Sequence, residues 1–444
     1  EFRNSSFTLH RREIIFFRGE LMRKSLQVIV AVTLFTALSI PVFALGAAET
    51  GMPTLVLDSR LWSPPEEQEF VINEVLKPFG EENGVKVALS IFQDEDLLAR
   101  QKVQSATGNQ TTDIVIAYAS RFTDWVNAGY VEDLTSVVAG WTDRTFSPGI
   151  NSMAVINGKQ YFVPIASDVY LLCANQKAMK YLPSGADVQD LTWNEFADWA
   201  NAIARGENEG KVAVTGVPQK ALIYQVGGMG LSFGAGFPDV SSAGAIEAWK
   251  IMIKMRGAFT PTVATYDNPK DPMKRGEAWL TWAHVADVGD IYKSNPSQYV
   301  IAPVPKGPEG KGSIAGTQGF AIPVNSPNRD VAIKLIEYMT RPDIMLKLAR
   351  GAGGWIPPVS EAVDQLGSAA QDEVIKMAID VMDNGNLSFL PPAYLAAGNW
   401  GQIKQVYDDI ARRFLDTGRV DTGYLRDMQA KIEQIGRASC RERV

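Results

Sequence analysis

The spacing of apolar residues predicts alternating strands and helices in the first third of the chain. Apolar residues occupy every second position from Val85 to Ile91, which predicts a half-buried strand. The nearly continuous apolar run Asp113–Tyr118 is typical of a strand covered on both faces. Residues Glu66–Lys77 have helical spacing, and Pro78 is expected to stop that helix. A helix is also predicted at Leu97–Ala106, so the pattern indicates an α/β fold with a layered sheet.

The remainder of the chain also contains both predicted strands and predicted helices. Residues Thr192–Glu195 match a capping box that opens a helix whose apolar face includes Phe196 and Trp199. Glycines at 227–230 and 234–236 predict loops. Further strands are predicted at Thr54–Leu57, Leu171–Ala174 and Phe320–Val324, and further helices at Arg329–Met339, Trp400–Leu415 and Tyr424–Ile435.

Residues 22–48 have the pattern of a secretory signal peptide. Basic residues follow Met22, an apolar run extends from Leu26 to Ile40, and small residues end the segment. We interpret residues 1–21 as translated upstream sequence and residues 436–444 as a cloning junction, because Gly436 is expected to break the preceding helix. No cysteine lies near the predicted cleavage site, so we expect a soluble, periplasmic protein that is neither lipid-anchored nor embedded in the membrane.

Charge and residue usage then exclude several functions. The chain carries a net charge of −7, and its two excluded ends carry +3 and +2, so residues 49–436 carry about −12. An acidic surface disfavours nucleic acid and anionic membranes as partners. Cys173 and His284 are the only cysteine and histidine of this body. The sequence therefore predicts no disulfide, no metal site of clustered histidine and cysteine, no cofactor, and no catalytic triad unless it uses His284.

Short motifs in a fixed order then indicate a family. They are Thr112–Val115, Ala128–Thr135, Asn157–Pro164, Leu191–Phe196, Gly276–Ala278, Ile301–Pro305, Gly316–Pro323 and Ala332–Met339. In this order and spacing the chain, over residues 52–435, resembles the extracellular solute-binding proteins of ABC importers, in the carbohydrate-binding branch that includes maltose-binding protein.

The resemblance implies a type II periplasmic-binding-protein fold, in which two discontinuous α/β lobes surround a central ligand cleft. One lobe would comprise residues 52–167 and 317–352, and the other residues 168–316 and 353–435. Crossovers between the lobes are expected near residues 165–170, 314–318 and 353–358, where glycines and prolines suit bending segments.

A sugar presents hydroxyl groups around an apolar ring face, so its site requires aromatic plates and polar groups. Loops at the carboxyl ends of the predicted strands supply some candidates. By resemblance, Asp168 is a cleft carboxylate, Arg121 a sugar-contacting arginine and Trp400 a stacking tryptophan. Ala117 and Ser120 depart from the family's tryptophan and aspartate, so maltose itself is not implied. The predicted ligand-binding residues are Arg60, Trp62, Gln93, Tyr118, Arg121, Asp168, Tyr224, Trp282, His284, Gln318, Trp355 and Trp400.

Three functions remain open on this sequence. The first is a monomeric binding protein that captures a mono- or oligosaccharide and delivers it to the permease subunits of an ABC importer. The second is the same scaffold with another solute, such as a polyamine or peptide, held by carboxylates including Asp94, Asp168 and Asp287. The third is a secreted glycosidase that uses Asp168 and Asp287 as paired carboxylates.

Overall fold

The computed structural model describes residues 51–389 and 400–441 of the 444-residue chain. The predicted upstream segment, the predicted signal peptide and the last three residues lie outside this part. Within the described residues, no helix combines the length and apolar character that crossing a bilayer would require.

Twelve strands lie in the described residues. In chain order they are β1 Thr54–Ser59, β2 Lys86–Ile91, β3 Ile114–Tyr118, β4 Val155–Ile156, β5 Lys159–Gln160, β6 Val163–Asp168, β7 Tyr170–Asn175, β8 Leu280–His284, β9 Tyr299–Pro303, β10 Lys306–Gly307, β11 Gly310–Ala321 and β12 Asn386–Phe389.

A seven-stranded mixed sheet has the order β10-β11-β3-β1-β2, with β6 and β12 also paired to β11, and its part around β1, β2 and β3 belongs to the first lobe. Strand β1 lies parallel to both β2 and β3, so the carboxyl ends of these three strands meet at one edge. Strand β11 runs antiparallel to β3 and β6 and parallel to β12. Buried side chains such as Leu57, Ile116 and Phe320 form the core of this lobe.

The second lobe is built on the antiparallel sheet β8-β7-β9. Its largest core cluster is rich in aromatic side chains, including Trp193, Trp199 and Trp249. These tryptophans and Trp279 are at most 7% exposed, and the burial of Trp199 confirms the predicted apolar face of its helix. A two-stranded hairpin, β4-β5, completes the sheets of the described part.

Helices cover both sheets. Their bounds are Pro65–Val71, Lys77–Asn83, Asp94–Thr107, Ala119–Asn127, Thr135–Ala139, Pro148–Asn151, Trp193–Glu207, Leu222–Ser232, Ala243–Lys254, Lys270–Lys274, Val285–Ser294, Arg329–Met339, Pro342–Gly351, Ser360–Val363, Ala370–Asn384, Trp400–Thr417 and Thr422–Arg441, with a π-helical stretch at Ile72–Leu76 and 3-10 turns at Ser152–Ala154, Gln176–Tyr181, Val263–Thr265 and Pro296–Gln298.

Three chain segments meet where the lobes join. Strand β6 of the first sheet leads through Val169 directly into β7 of the second. Ser167 of β6 exchanges both backbone hydrogen bonds with Ile356, at 3.0 and 2.8 Å. Its hydroxyl lies 2.9 Å from the hydroxyl of Thr317 in β11. One residue therefore ties together all three segments that the resemblance implies as crossovers, while the exact lobe boundaries stay predictions.

Three local predictions were wrong. Pro78 does not stop its helix, because it occupies the first turn of Lys77–Asn83, where a missing backbone N–H is tolerated, directly after the π-helical stretch. Residues 227–230 are not a loop but part of the helix Leu222–Ser232. Gly436 does not break the last helix, which continues to Arg441, since one glycine costs a helix only about 1 kcal/mol.

Candidate ligand-binding cleft

The carboxyl-terminal edge of the first sheet positions one side of the candidate site. Arg60 follows β1, and its guanidinium lies 5.7 Å from the ring centroid of Tyr118 at the end of β3. Tyr118 is the register partner of Gln318 in β11, whose side chain is fully buried. Strand pairing thus brings together three predicted site residues that are far apart in the sequence.

Asp168, the last residue of β6, lies at the centre. It is 3% exposed, and its Oδ1 accepts a hydrogen bond of 3.0 Å from the backbone N–H of Gly316. Its Oδ2 accepts one of 3.4 Å from the Gln318 amide. A Cβ at position 316 would clash with the Asp168 carboxylate, so a larger residue here would have to displace that side chain.

His284 approaches Asp168 from the second lobe. It ends β8, is the register partner of Tyr170 in β7, and precedes the helix Val285–Ser294. Its Nδ1 accepts a hydrogen bond of 3.1 Å from the backbone N–H of Ala286, and its Nε2 lies 3.5 Å from Asp168 Oδ1. The imidazole therefore caps a helix with one nitrogen and faces the central carboxylate with the other.

Aromatic side chains form a continuous row beside these polar groups. The rings of Trp400 and Tyr224 are stacked at 6.4 Å with an interplanar angle of 19°, and the indole N–H of Trp400 donates to the Tyr224 hydroxyl at 2.8 Å. Tyr170 lies 6.5 Å from Tyr224 and 6.0 Å from His284. His284 in turn contacts Trp355 edge to face at 5.1 Å.

Nine residues are thus linked by contacts, and we call them the cleft cluster. They are Arg60, Tyr118, Asp168, Tyr170, Tyr224, His284, Gln318, Trp355 and Trp400. Eight of them belong to the set predicted from the sequence. Tyr170 was missed, although it stands two residues after Asp168 and the crossover implied at 165–170 includes it.

Two cleft-cluster groups lack hydrogen-bond partners. Gln318 Oε1 and Trp355 Nε1 are buried atoms for which the described residues supply no partner. An unpaired buried polar atom typically costs about 1–3 kcal/mol, so a bound ligand that pairs with both would recover that free energy. Gln318 offers an acceptor and Trp355 a donor.

A further acidic residue, Glu67, was not predicted as part of the site. Its carboxylate lies in the first helix, beside Gly353 and near the indole of Trp355. Burial, followed by the charges of Asp290 and Glu66, raises its pKa to about 7. Burial also raises the pKa of Asp287, although His284 and Lys270 oppose the shift. The rim of the site therefore holds carboxyl groups that their surroundings discourage from ionising.

The structure places Trp282 and Trp62 in the core clusters of their lobes, and their contact with ligand stays a prediction. Trp282 is 1% exposed, packs edge to face against Trp193 at 5.3 Å, and donates its indole N–H to the carbonyl of Gln225 at 3.1 Å. It lies two residues before His284 on β8 and hence deeper in the lobe. Trp62 is 3% exposed in the first-lobe core, where the chain takes a left-handed conformation with φ 65°.

The last two predicted residues, Gln93 and Arg121, follow β2 and β3 along the chain. Gln93 is exposed directly before the helix Asp94–Thr107, and its side chain makes no capping hydrogen bond. Arg121 is 6% exposed in the first turn of Ala119–Asn127, three residues after Tyr118. A role in ligand binding stays a prediction for both. The alternative cation-binding residue Asp94 has a side chain outside the described part.

Two lobes that meet at hydrogen-bonded crossovers, with aromatic and polar side chains gathered between them, define a two-lobed solute-binding protein. A family model described as bacterial extracellular solute-binding protein matches residues 74–379, so the chain belongs to that family. This is the class that the sequence motifs indicated, and members of this family bind solutes.

Relatives and solved structures agree with this family. A protein of Brucella abortus (strain 2308) that is named as a binding protein is 24% identical over 294 residues, 63% of this chain and 71% of its own. The spermidine/putrescine-binding periplasmic protein of Escherichia coli (strain K12) is 22% identical over 325 residues, 71% of this chain and 83% of its own. The maltose-bound MalE3 structure of T. maritima has a TM-score of 0.68 and 18% identity, covering 86% of this chain and 99% of that one, and supports the fold.

Proposed function

We propose that this protein binds a mono- or oligosaccharide between its lobes and delivers it to the permease of an ABC importer. The observation that carries the proposal is the row of aromatic rings from Trp400 to Trp355 beside the polar groups of Asp168 and Gln318. Flat rings match the apolar face of a pyranose, and the polar groups match its hydroxyls. The protein would act as an exported, periplasmic monomer and leave its ligand chemically unchanged.

Thermal unfolding with a panel of mono- and oligosaccharides tests the proposal. A ligand at 100 times its Kd stabilises the native state by about 2.7 kcal/mol, which raises the unfolding midpoint measurably. The Trp400→Ala variant, which lacks the stacked ring, is expected to lose the shift. A panel without any stabilising saccharide contradicts the proposal, and release of reducing ends from a glycan would favour the glycosidase alternative instead.

A polyamine is the second candidate. Its support is the spermidine/putrescine-binding relative and the carboxyl groups of Glu67, Asp168 and Asp287 around the site. A cationic ligand would favour the ionised form of Glu67, whose pKa is about 7, and would therefore release protons on binding at neutral pH.

Calorimetry in two buffers of different ionisation enthalpy separates the candidates, because it counts the protons exchanged on binding. A polyamine is expected to release protons from the wild-type protein, and the Glu67→Gln variant should abolish most of that release. A neutral sugar is expected to bind both proteins with little proton exchange. Charge reversal at Asp168 should eliminate polyamine binding altogether, whereas a sugar site should lose most of its affinity and change its selectivity.

A further inference from the structure

The two ring nitrogens of His284 have different surroundings. Nδ1 lies 3.1 Å from the backbone N–H of Ala286, which is a donor, so Nδ1 must carry a lone pair to accept that hydrogen bond. A neutral imidazole that accepts through Nδ1 carries its proton on Nε2. The start of the helix Val285–Ser294 therefore fixes which nitrogen of His284 donates.

The fixed donor points toward the centre of the site. Nε2 lies 3.5 Å from Asp168 Oδ1, which is longer than the usual 2.7–3.2 Å of an N–H···O hydrogen bond. Gln318 Oε1, an acceptor on a fully buried side chain without a partner in the described residues, belongs to the same cleft cluster. One donor and two acceptors thus belong to the same cleft cluster, and neither His284 Nε2 nor Gln318 Oε1 makes a hydrogen bond of ordinary length within the described residues.

We propose that His284 is a specificity-determining residue that presents Nε2–H as a fixed donor and, with Asp168 and Gln318, selects ligand hydroxyl groups over ammonium groups. A hydroxyl both accepts and donates, so it can pair with Nε2–H and with a carboxylate or amide oxygen at once. An ammonium group only donates, and it would leave Nε2–H and the buried indole N–H of Trp355 without acceptors. This inference rests on the proposed sugar-binding function and adds His284 as the residue that selects a sugar over a polyamine.

The charges around His284 affect whether its ring is neutral or protonated. Burial lowers the pKa of His284, but the charges of Asp168, Asp287 and Glu67 outweigh it and leave the pKa above its ordinary value. Protonation would place a second donor, Nδ1–H, against the Ala286 N–H and remove the helix cap. The helix cap and the proposed hydroxyl contact both use the neutral ring, whereas the neighbouring carboxylates favour the protonated ring.

Two substitutions separate the donor from the cap. Asparagine is a favoured N-cap residue whose short side chain can replace Nδ1 but does not reach the position of Nε2. Glutamine is longer and can place an amide N–H near the position of Nε2, but it does not restore the cap. The test measures the affinity of wild type, His284→Asn and His284→Gln for the saccharide that stabilises the wild type in the panel above, and their thermal midpoints.

We expect His284→Asn to keep the wild-type midpoint while its affinity falls about ten- to hundredfold, since one buried donor is lost. His284→Gln should retain most of the affinity and lose about 1–3 °C in midpoint. Equal affinities in all three proteins, or a loss confined to His284→Gln, would overturn the role of Nε2–H while sugar binding stands. A wild type that binds spermidine and no saccharide would overturn both the inference and the proposed function.

Discussion

The surroundings of single residues decide the chemistry of this site. Asp168 has the backbone N–H of Gly316 and the amide of Gln318 as hydrogen-bond donors, and it serves as a central acceptor. Glu67 is largely buried and lies near other acidic residues, which together raise its pKa to about 7. Two carboxyl groups near one cleft therefore differ in what they can offer a ligand.

Glu67 gives a pH dependence with a defined sign. The pKa of Glu67 is ordinarily 4.5 and is raised to about 7 in the folded protein. The native state therefore loses stability as the pH rises from 4.5 to about 7. Glu67→Gln removes the ionisation, and its free energy of unfolding should match wild type near pH 4 and exceed it by about 1–2 kcal/mol at pH 8, after allowance for partial exposure. Urea unfolding across this range measures the difference, and a constant difference would refute the assignment.

At the scale of elements, some helices follow from signals in the local sequence, whereas others depend on close packing against a strand. Thr192 and Glu195 form the capping box that the sequence predicts, with both reciprocal hydrogen bonds present. The helix Leu222–Ser232, by contrast, contains glycines that indicate a loop when taken alone. Its backbone packs directly on β11, and a Cβ on Gly228 would lie 3.1 Å from the carbonyl oxygen of Gly312. Gly228 therefore serves this close contact with β11 and not a turn.

Gly312→Ala tests that contact. An added methyl group would run into the carbonyl of Gly228 and the backbone of Ser232, so we expect destabilisation by about 1–3 kcal/mol. Gly257→Ala is the matched control, because nothing lies within 4 Å of its added methyl group. Denaturant unfolding should show Gly257→Ala unchanged or slightly stabilised. Equal stability of the two variants would mean that the helix does not need this close approach.

At the scale of the whole molecule, the lobes join at the segments around Ser167, and we expect a bound ligand to change their relative position. The cleft cluster draws residues from both sheets, so a ligand that contacts all of them is held best when the lobes approach each other. Such a ligand shifts the population toward a closed form, and hinge segments absorb the change in backbone angles.

Small-angle X-ray scattering measures this closure. The radius of gyration should fall when a stabilising saccharide is added to wild type, and it should stay constant for Trp400→Ala at the same concentration. The variant controls for effects of the sugar on the solvent. Identical scattering curves of wild type with and without a bound saccharide would show that closure does not accompany binding.

The sequence by itself determined the α/β class, the two-lobed family and eight residues of the cleft cluster. The α/β class follows from apolar periodicity, which depends on residues close together in the chain, whereas the family and several of the cleft residues follow from the resemblance that the ordered motifs indicate. The predicted lobe boundaries and the periplasmic location stay predictions.

Only the tertiary structure decided which side chains face the cleft. Trp282 and His284 share a strand and differ by two positions, yet one is in the core and the other caps a helix beside Asp168. Tyr170 belongs to the site because its ring packs against His284. Glu67 has a raised pKa because it is buried and lies near the charges of Asp290 and Glu66. The depth of a side chain and its pKa depend on neighbours distant in the chain, and periodicity along one strand does not contain that information.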